Sequence, residues 1–164
     1  MKLLRSCAFL LFFAVSAALA TSASAHSVTA GAVTVGHVWA YPSTSLQKKS
    51  GAYPIQKDGG VQVIDIYGPL LNGGGTADAV TGLTTAAGGA AEVINWSLGN
   101  QYTSGFPLAL PPGEPVALGP QGQFIRLTGL GRSYGAGDHF PVTFHFAHAP
   151  DATIEVLVQA GSSG

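Results

Sequence analysis

Apolar residues recur along this chain in short runs with a two-residue period, and glycine or proline closes each run. A strand turns successive side chains to opposite faces, so that period predicts β structure. The first run covers residues 31–41 and places Val33, Val35, His37 and Trp39 on one face. Residues 42–60 are polar, with Lys48, Lys49, Pro54, Gly59 and Gly60, and predict a long exposed loop. Residues 61–67 read as a strand closed by Gly68 and Pro69, followed by a loop at residues 72–75.

Further strands are predicted at residues 77–84, 92–98, 102–110, 115–118, 123–130, 140–147 and 153–159. Gly99 and Asn100 suit a hairpin between two of them. The Ala and Gly run at residues 86–91 is too short and too rich in glycine to hold a helix. About eight short strands with scarcely a helical period between them predict an antiparallel sandwich or barrel.

The front of the chain follows a different pattern. Lys2 and Arg5 give a basic start, residues 8–19 are apolar, and Ala23, Ser24 and Ala25 form the small-residue site that signal peptidase reads. The apolar run is well short of the roughly 20 residues that span a bilayer, so residues 1–25 are expected to be a cleaved export signal. Residues 26–160 then form one domain and 161–164 a tail. Cutting after Ala25 makes His26 the first residue, whose amine and imidazole suit Cu(II). A second acceptable site at residues 18–20 leaves Thr21 in front instead.

Composition narrows the picture. Removing 25 of 164 residues leaves 139, with five basic and eight acidic side chains and a formal charge of −3. That excludes the basic patch a nucleic acid or an anionic membrane requires. Only 9% of residues are charged and 23 are glycine, yet the Val, Ile, Leu and Phe runs belong to a folded β protein. The single cysteine, Cys7, precedes the apolar run, so it neither staples the domain nor sits where a lipid-accepting cysteine belongs. No nucleophile elbow, phosphate loop or zinc signature occurs, and the eight scattered carboxylates single out no pair. No enzyme class is indicated.

The segments from Gly31 to Ala40, Gly75 to Val80, Leu110 to Gly113, Leu127 to Leu130 and Gly137 to Thr143 follow one another in a telling order. In that order they resemble the periplasmic copper chaperones of the PCu(A)C family, over nearly all of the chain after the signal. The resemblance implies an all-β, cupredoxin-like antiparallel β-sandwich. It further implies copper as cargo, held as Cu(I), and delivery to an acceptor protein such as a respiratory oxidase subunit. The family holds Cu(I) with a His and a Met on one hairpin and a His-x-Met pair on a later strand. Thioether sulfur suits that soft ion.

At those positions this sequence departs from the family. The His-x-Met pair falls on Phe124 and Arg126, the hairpin Met near Tyr102, and the hairpin His at Ile94 or Asn95. Met1 is the only methionine, so no alignment shift restores a thioether in the domain. A fixed guanidinium there also repels a cation.

Three readings follow. A metallochaperone using Cu(II) and nitrogen would draw on His26 and His37, or on His26 with one of the C-terminal histidines. His139 and His145 lie six residues apart, roughly 20 Å at about 3.3 Å per residue, too far to share one ion. His145 and His148 have opposite strand parity. A metal-free interaction module would bind a partner through Trp96 and Arg126, with Phe124 and Tyr102 beside them, because Trp, Tyr and Arg dominate interface hot spots. Arg126 otherwise reads as a surface strand residue paired with a carboxylate. An enzyme is the third and least supported reading.

Overall fold

The computed structural model describes residues 27–47, 55–56, 61–97 and 100–161. The expected signal, His26, Lys48 and Lys49 lie outside the described residues. Fourteen strands and no helix occur among the described residues. They are β1 (Val28–Ala30), β2 (Val33–Val35), β3 (Trp39–Ala40), β4 (Thr44–Gln47), β5 (Ile55–Gln56), β6 (Val61–Asn72) and β7 (Asp78–Thr84). The second half adds β8 (Ala90–Ser97), β9 (Asn100–Thr103), β10 (Leu108–Leu110), β11 (Pro115–Leu118), β12 (Gln123–Thr128), β13 (His139–Phe146) and β14 (Ala152–Val158).

Two layers form. One runs β10, β7, β13, β14, and the other gathers β2, β11, β12, β8 and β9 around the long strand β6. Strand β3 joins them by pairing with β14 in parallel and with β6 in antiparallel sense. The remaining strand pairings are antiparallel except β11 with β12. Between the layers lies the main core, including Val33, Val35, Ile64, Ile66, Ile125 and Leu127 from one side and Phe140, Val142, Phe144, Ile154 and Val156 from the other. Alternation is cleanest in β14, where every second residue from Ala152 to Val158 is buried.

The structure revises four of the expected segments. Residues 31–41 are two strands, and the inward phase slips between them: Val33 and Val35 are buried before the break, Val38 and Ala40 after it. His37 and Trp39 therefore leave the face shared by Val33 and Val35. The break occurs where the chain crosses β6 at two glycines. Gly36 donates its N–H to the Pro69 carbonyl at 2.8 Å, and a Cβ on Gly36 would meet Pro69 Cγ at 2.6 Å. A Cβ on Gly68 would meet the His37 carbonyl oxygen at 2.7 Å, and its φ of +147° favours glycine.

Residues 42–60 contain β4 and β5 instead of one long loop. The front of β6 offers β4 an edge at Val61, Gln62 and Val63. A four-residue strand held between β5 and β6 leaves no apolar period to read. Strand β6 continues through Gly68 and Pro69 to Asn72, because proline removes one donor while its carbonyl still accepts from Gly36. The stretch 102–110 divides into β9 and β10, which lie at opposite ends of the strand order, with a cis peptide bond at Phe106–Pro107 between them.

Candidate functional site

Strand β12 carries the positions that matter most. Ile125 and Leu127 point into the main core, so Phe124 and Arg126 point outward. On β6, Ile64 and Ile66 point inward, leaving Asp65 and Tyr67 on the outer face. On β8, Val93 points inward, while Glu92, Ile94 and Trp96 share the outer face. Register makes Phe124 the direct neighbour of Ile94, and Arg126 that of Glu92 on one side and Asp65 on the other.

Arg126 and Asp65 form a two-pronged ion pair. Nε donates to Oδ1 and Nη2 to Oδ2, each at 2.7 Å. Nη1 donates to the Gln101 side chain at 3.3 Å, and the guanidinium carbon sits 5.4 Å from the Phe124 ring centre. Only 15% of the Arg126 side chain and 21% of the Asp65 side chain are exposed. The hydrogen bonds to Asp65 hold Arg126 above its ordinary range, against the opposing effect of burial. Asp65 is the carboxylate that pairs with Arg126.

Next to this pair lies a second, smaller core. Phe124 is 1% exposed and packs with Tyr67 and Ile94, with Trp39 and Tyr41 leaning on the cluster. Ring centres are 5.9 Å apart for Tyr67 and Phe124, 4.6 Å for Trp39 and Tyr67, and 5.0 Å for Trp39 and Tyr41. Burial first, then the neighbouring Asp65 charge, pushes the Tyr67 phenol far above its usual range.

The hairpin residues divide between two faces. Asn95 pairs directly with Tyr102, so these two point away from the face that carries Ile94 and Trp96. Asn95 donates to Ser104 Oγ at 2.7 Å and accepts from Gln123 at 2.9 Å. The grouping of Phe124, Arg126, Trp96 and Tyr102 is thus corrected: Trp96, 41% exposed, shares the face, and Tyr102 does not. Donors to one ion must share a face, which selects Ile94 over Asn95 and Gln101 or Thr103 over Tyr102 as the hairpin positions facing Phe124 and Arg126. None of these side chains carries sulfur or imidazole.

The histidines are dispersed. His37 is half-buried, its Nε2 3.5 Å from the Gln159 amide nitrogen. His139 is exposed, His145 lies on the outer face of the other layer, and the side chain of His148 is 78% exposed beside Asp78 at 3.5 Å. Among the described residues no three His, Cys, Asp or Glu side chains group as a metal site. The residues that sequence reasoning missed are Asp65, Tyr41 and Tyr67. Strand parity along residues 61–67 already puts Asp65 and Tyr67 together, away from Ile64 and Ile66.

A family model described as "Putative lipoprotein LpqE-like" matches residues 32–158. The chain belongs to the LpqE-like family. Among solved structures, this LpqE-like chain is similar to the "Apo PCuAC domain from PmoF1", with a TM-score of 0.63 and 20% identity over 83% of this chain and 100% of that one. It is also similar to the "Copper-bound PCuAC domain from PmoF2", with a TM-score of 0.61 and 18% identity over 83% and 99%. The apo PmoF2 domain gives 0.61 and 18% over 84% and 98%. Comparison with curated proteins gives no match. The LpqE-like chain thus has the cupredoxin-like β-sandwich of PCuAC domains, as the resemblance implied.

Proposed function

We propose that this protein is an exported, copper-chaperone-like domain that has kept the scaffold, lost the Cu(I) site on its strands, and acts by binding a partner protein. The observation that carries this reading is the Arg126–Asp65 ion pair. Where the resemblance places a thioether, a guanidinium spans a carboxylate and sits by a buried phenylalanine ring. A soft monovalent ion finds neither a matching donor nor a favourable field there.

What remains on that face is a set of anchors for protein contact. Trp96 is exposed, Trp39 and Tyr41 are half-buried, and Arg126 is held on the same face by Asp65. Rigid aromatic and arginine side chains on a flat sheet supply contact area at small entropic cost. By resemblance the partner is a copper acceptor such as a respiratory oxidase subunit, and the place of action is the periplasm. The family description includes the word lipoprotein, which fits a protein that leaves the cytoplasm.

The test is a photo-reactive aromatic residue in place of Trp96 in the exported protein, with Glu155 on the opposite layer as the control position. One cross-linked species at position 96, absent at 155 and weakened by Arg126→Ala, supports the reading. Equal labelling from both positions contradicts it.

A second reading has one observation in its favour: a solved relative is a copper-bound PCuAC domain. Copper carriage by this chain then rests on nitrogen donors, with the amine and imidazole of His26 and a further histidine such as His37. Tight Cu(II) binding that disappears in His26→Ala, or after the amine is acetylated, would establish it.

A further inference from the structure

The outer face of the β7, β13, β14 layer holds an arrangement separate from the partner-binding face. His145 sits on β13 beside Gly82 of β7, where a Cβ on Gly82 would lie 3.9 Å from the ring's Cδ2. The imidazole therefore lies across the strand toward Thr84. Its Nε2 is 2.8 Å from Thr84 Oγ1, and its Nδ1 is 2.9 Å from Asp151 Oδ2. Thr81 Oγ1 donates to the His145 carbonyl at 3.2 Å and fixes the backbone behind the ring.

We propose that Thr84 is an activated hydroxyl that accepts an acyl group, with His145 as its general base and Asp151 as the group that orients the base. Each link has the geometry this chemistry needs. A nucleophile within hydrogen-bond reach of an imidazole, whose other nitrogen is held by a carboxylate, is recognised by roles and distances whatever the order in sequence. With the ring neutral and Nδ1–H donating to Asp151, the Nε2 lone pair faces the Thr84 hydroxyl proton. Thr84 is exposed, so an acyl donor can reach it.

The step balances without a further reagent. Thr84 Oγ1 attacks the carbonyl carbon of an activated ester while its proton passes to His145 Nε2. The tetrahedral adduct collapses, the bond from carbon to the leaving oxygen breaks, and His145 returns the proton to that oxygen. Thr84 is left as an ester. The face is open and keeps its water, so electrostatic help is small and the donor class is a small ester with a good leaving group, not a peptide.

The test uses the full exported chain and p-nitrophenyl acetate. Release of p-nitrophenolate is followed, and the acetylated residue is located by peptide mass spectrometry. Acetylation at Thr84 is expected, slowed roughly a hundredfold or more in His145→Gln, abolished in Thr84→Val and retained in Thr84→Ser. If Thr84→Val reacts as fast as the parent, or acetyl appears only on lysines or on His145 itself, the proposal fails. Thr84→Ser distinguishes lost chemistry from lost folding, and neither outcome bears on the partner-binding face.

Discussion

The two outer faces of this sandwich use the same pleat for opposite ends. On the β6, β12, β8 side, outward residues Tyr67, Phe124 and Ile94 are as buried as core residues, and the charges beside them are paired. On the β7, β13, β14 side, outward residues are Thr84, His139, Thr143, His145, Thr153 and Glu155, all at least partly exposed. The first face has been closed by filling it, and the second stays open and hydroxyl-rich. The same pleated scaffold can therefore carry either a packed or an open outer face, depending on which side chains its outward positions hold.

Truncation should separate the two faces most sharply. Phe124→Ala is expected to destabilise the fold by about 3–4 kcal/mol, as for a core aromatic, whereas Thr153→Ala on the open face should cost less than about 0.5 kcal/mol. Urea unfolding of both variants checks this, and a small loss for Phe124→Ala would mean the closed face is not a second core.

The ion pair comes next. Asp65→Asn leaves a half-buried guanidinium without its carboxylate and should cost about 2 kcal/mol, while the joint change Asp65→Leu with Arg126→Met should recover most of that. A double-mutant cycle measures the coupling directly. Additive costs would show that the pair is merely superficial.

On the open layer the corresponding charge is Asp78 of β7, which is met by backbone donors. Burial alone would raise its carboxyl, but the N–H groups of Ala79, Ala149 and His148 outweigh that and lower it. A lowered folded value means its stabilisation is present above about pH 4 and fades as pH falls through that lowered value. Asp78→Asn should flatten the acid limb of the stability profile below about pH 4, and an unchanged limb would assign acid unfolding to other groups. The smallest effect on stability is expected for Trp96→Ala, within about 0.5 kcal/mol by urea unfolding, even though this variant should no longer capture the partner protein.

Much of the architecture was legible in the chain. Alternation marked β7, β11, β12, β13 and β14 to within a residue or two, most plainly in β14, where every second residue is buried. It misplaced His37 and Trp39, because the phase slip at Gly36 depends on a contact with Pro69 far along the sequence. Strand β4 was invisible for a similar reason: its partner edge on β6 makes it a strand, not its own residues. At the site, the missing sulfur was legible from composition alone. The pairing of Arg126 with Asp65, and the split of Trp96 from Tyr102, required the register of β12 against β6 and of β8 against β9. The Thr84, His145 and Asp151 set draws on three separate segments and left no local motif.

Under the proposed function, the strand face where the resemblance places a soft metal ion holds a salt bridge and aromatic rings and binds no Cu(I). The most direct test is titration of the exported protein with Cu(I) in the presence of a competing Cu(I) chelator. The chelator should retain all of the copper, and the unfolding midpoint should not move. One equivalent of Cu(I) held by the protein against the chelator, with a raised midpoint, would contradict the account.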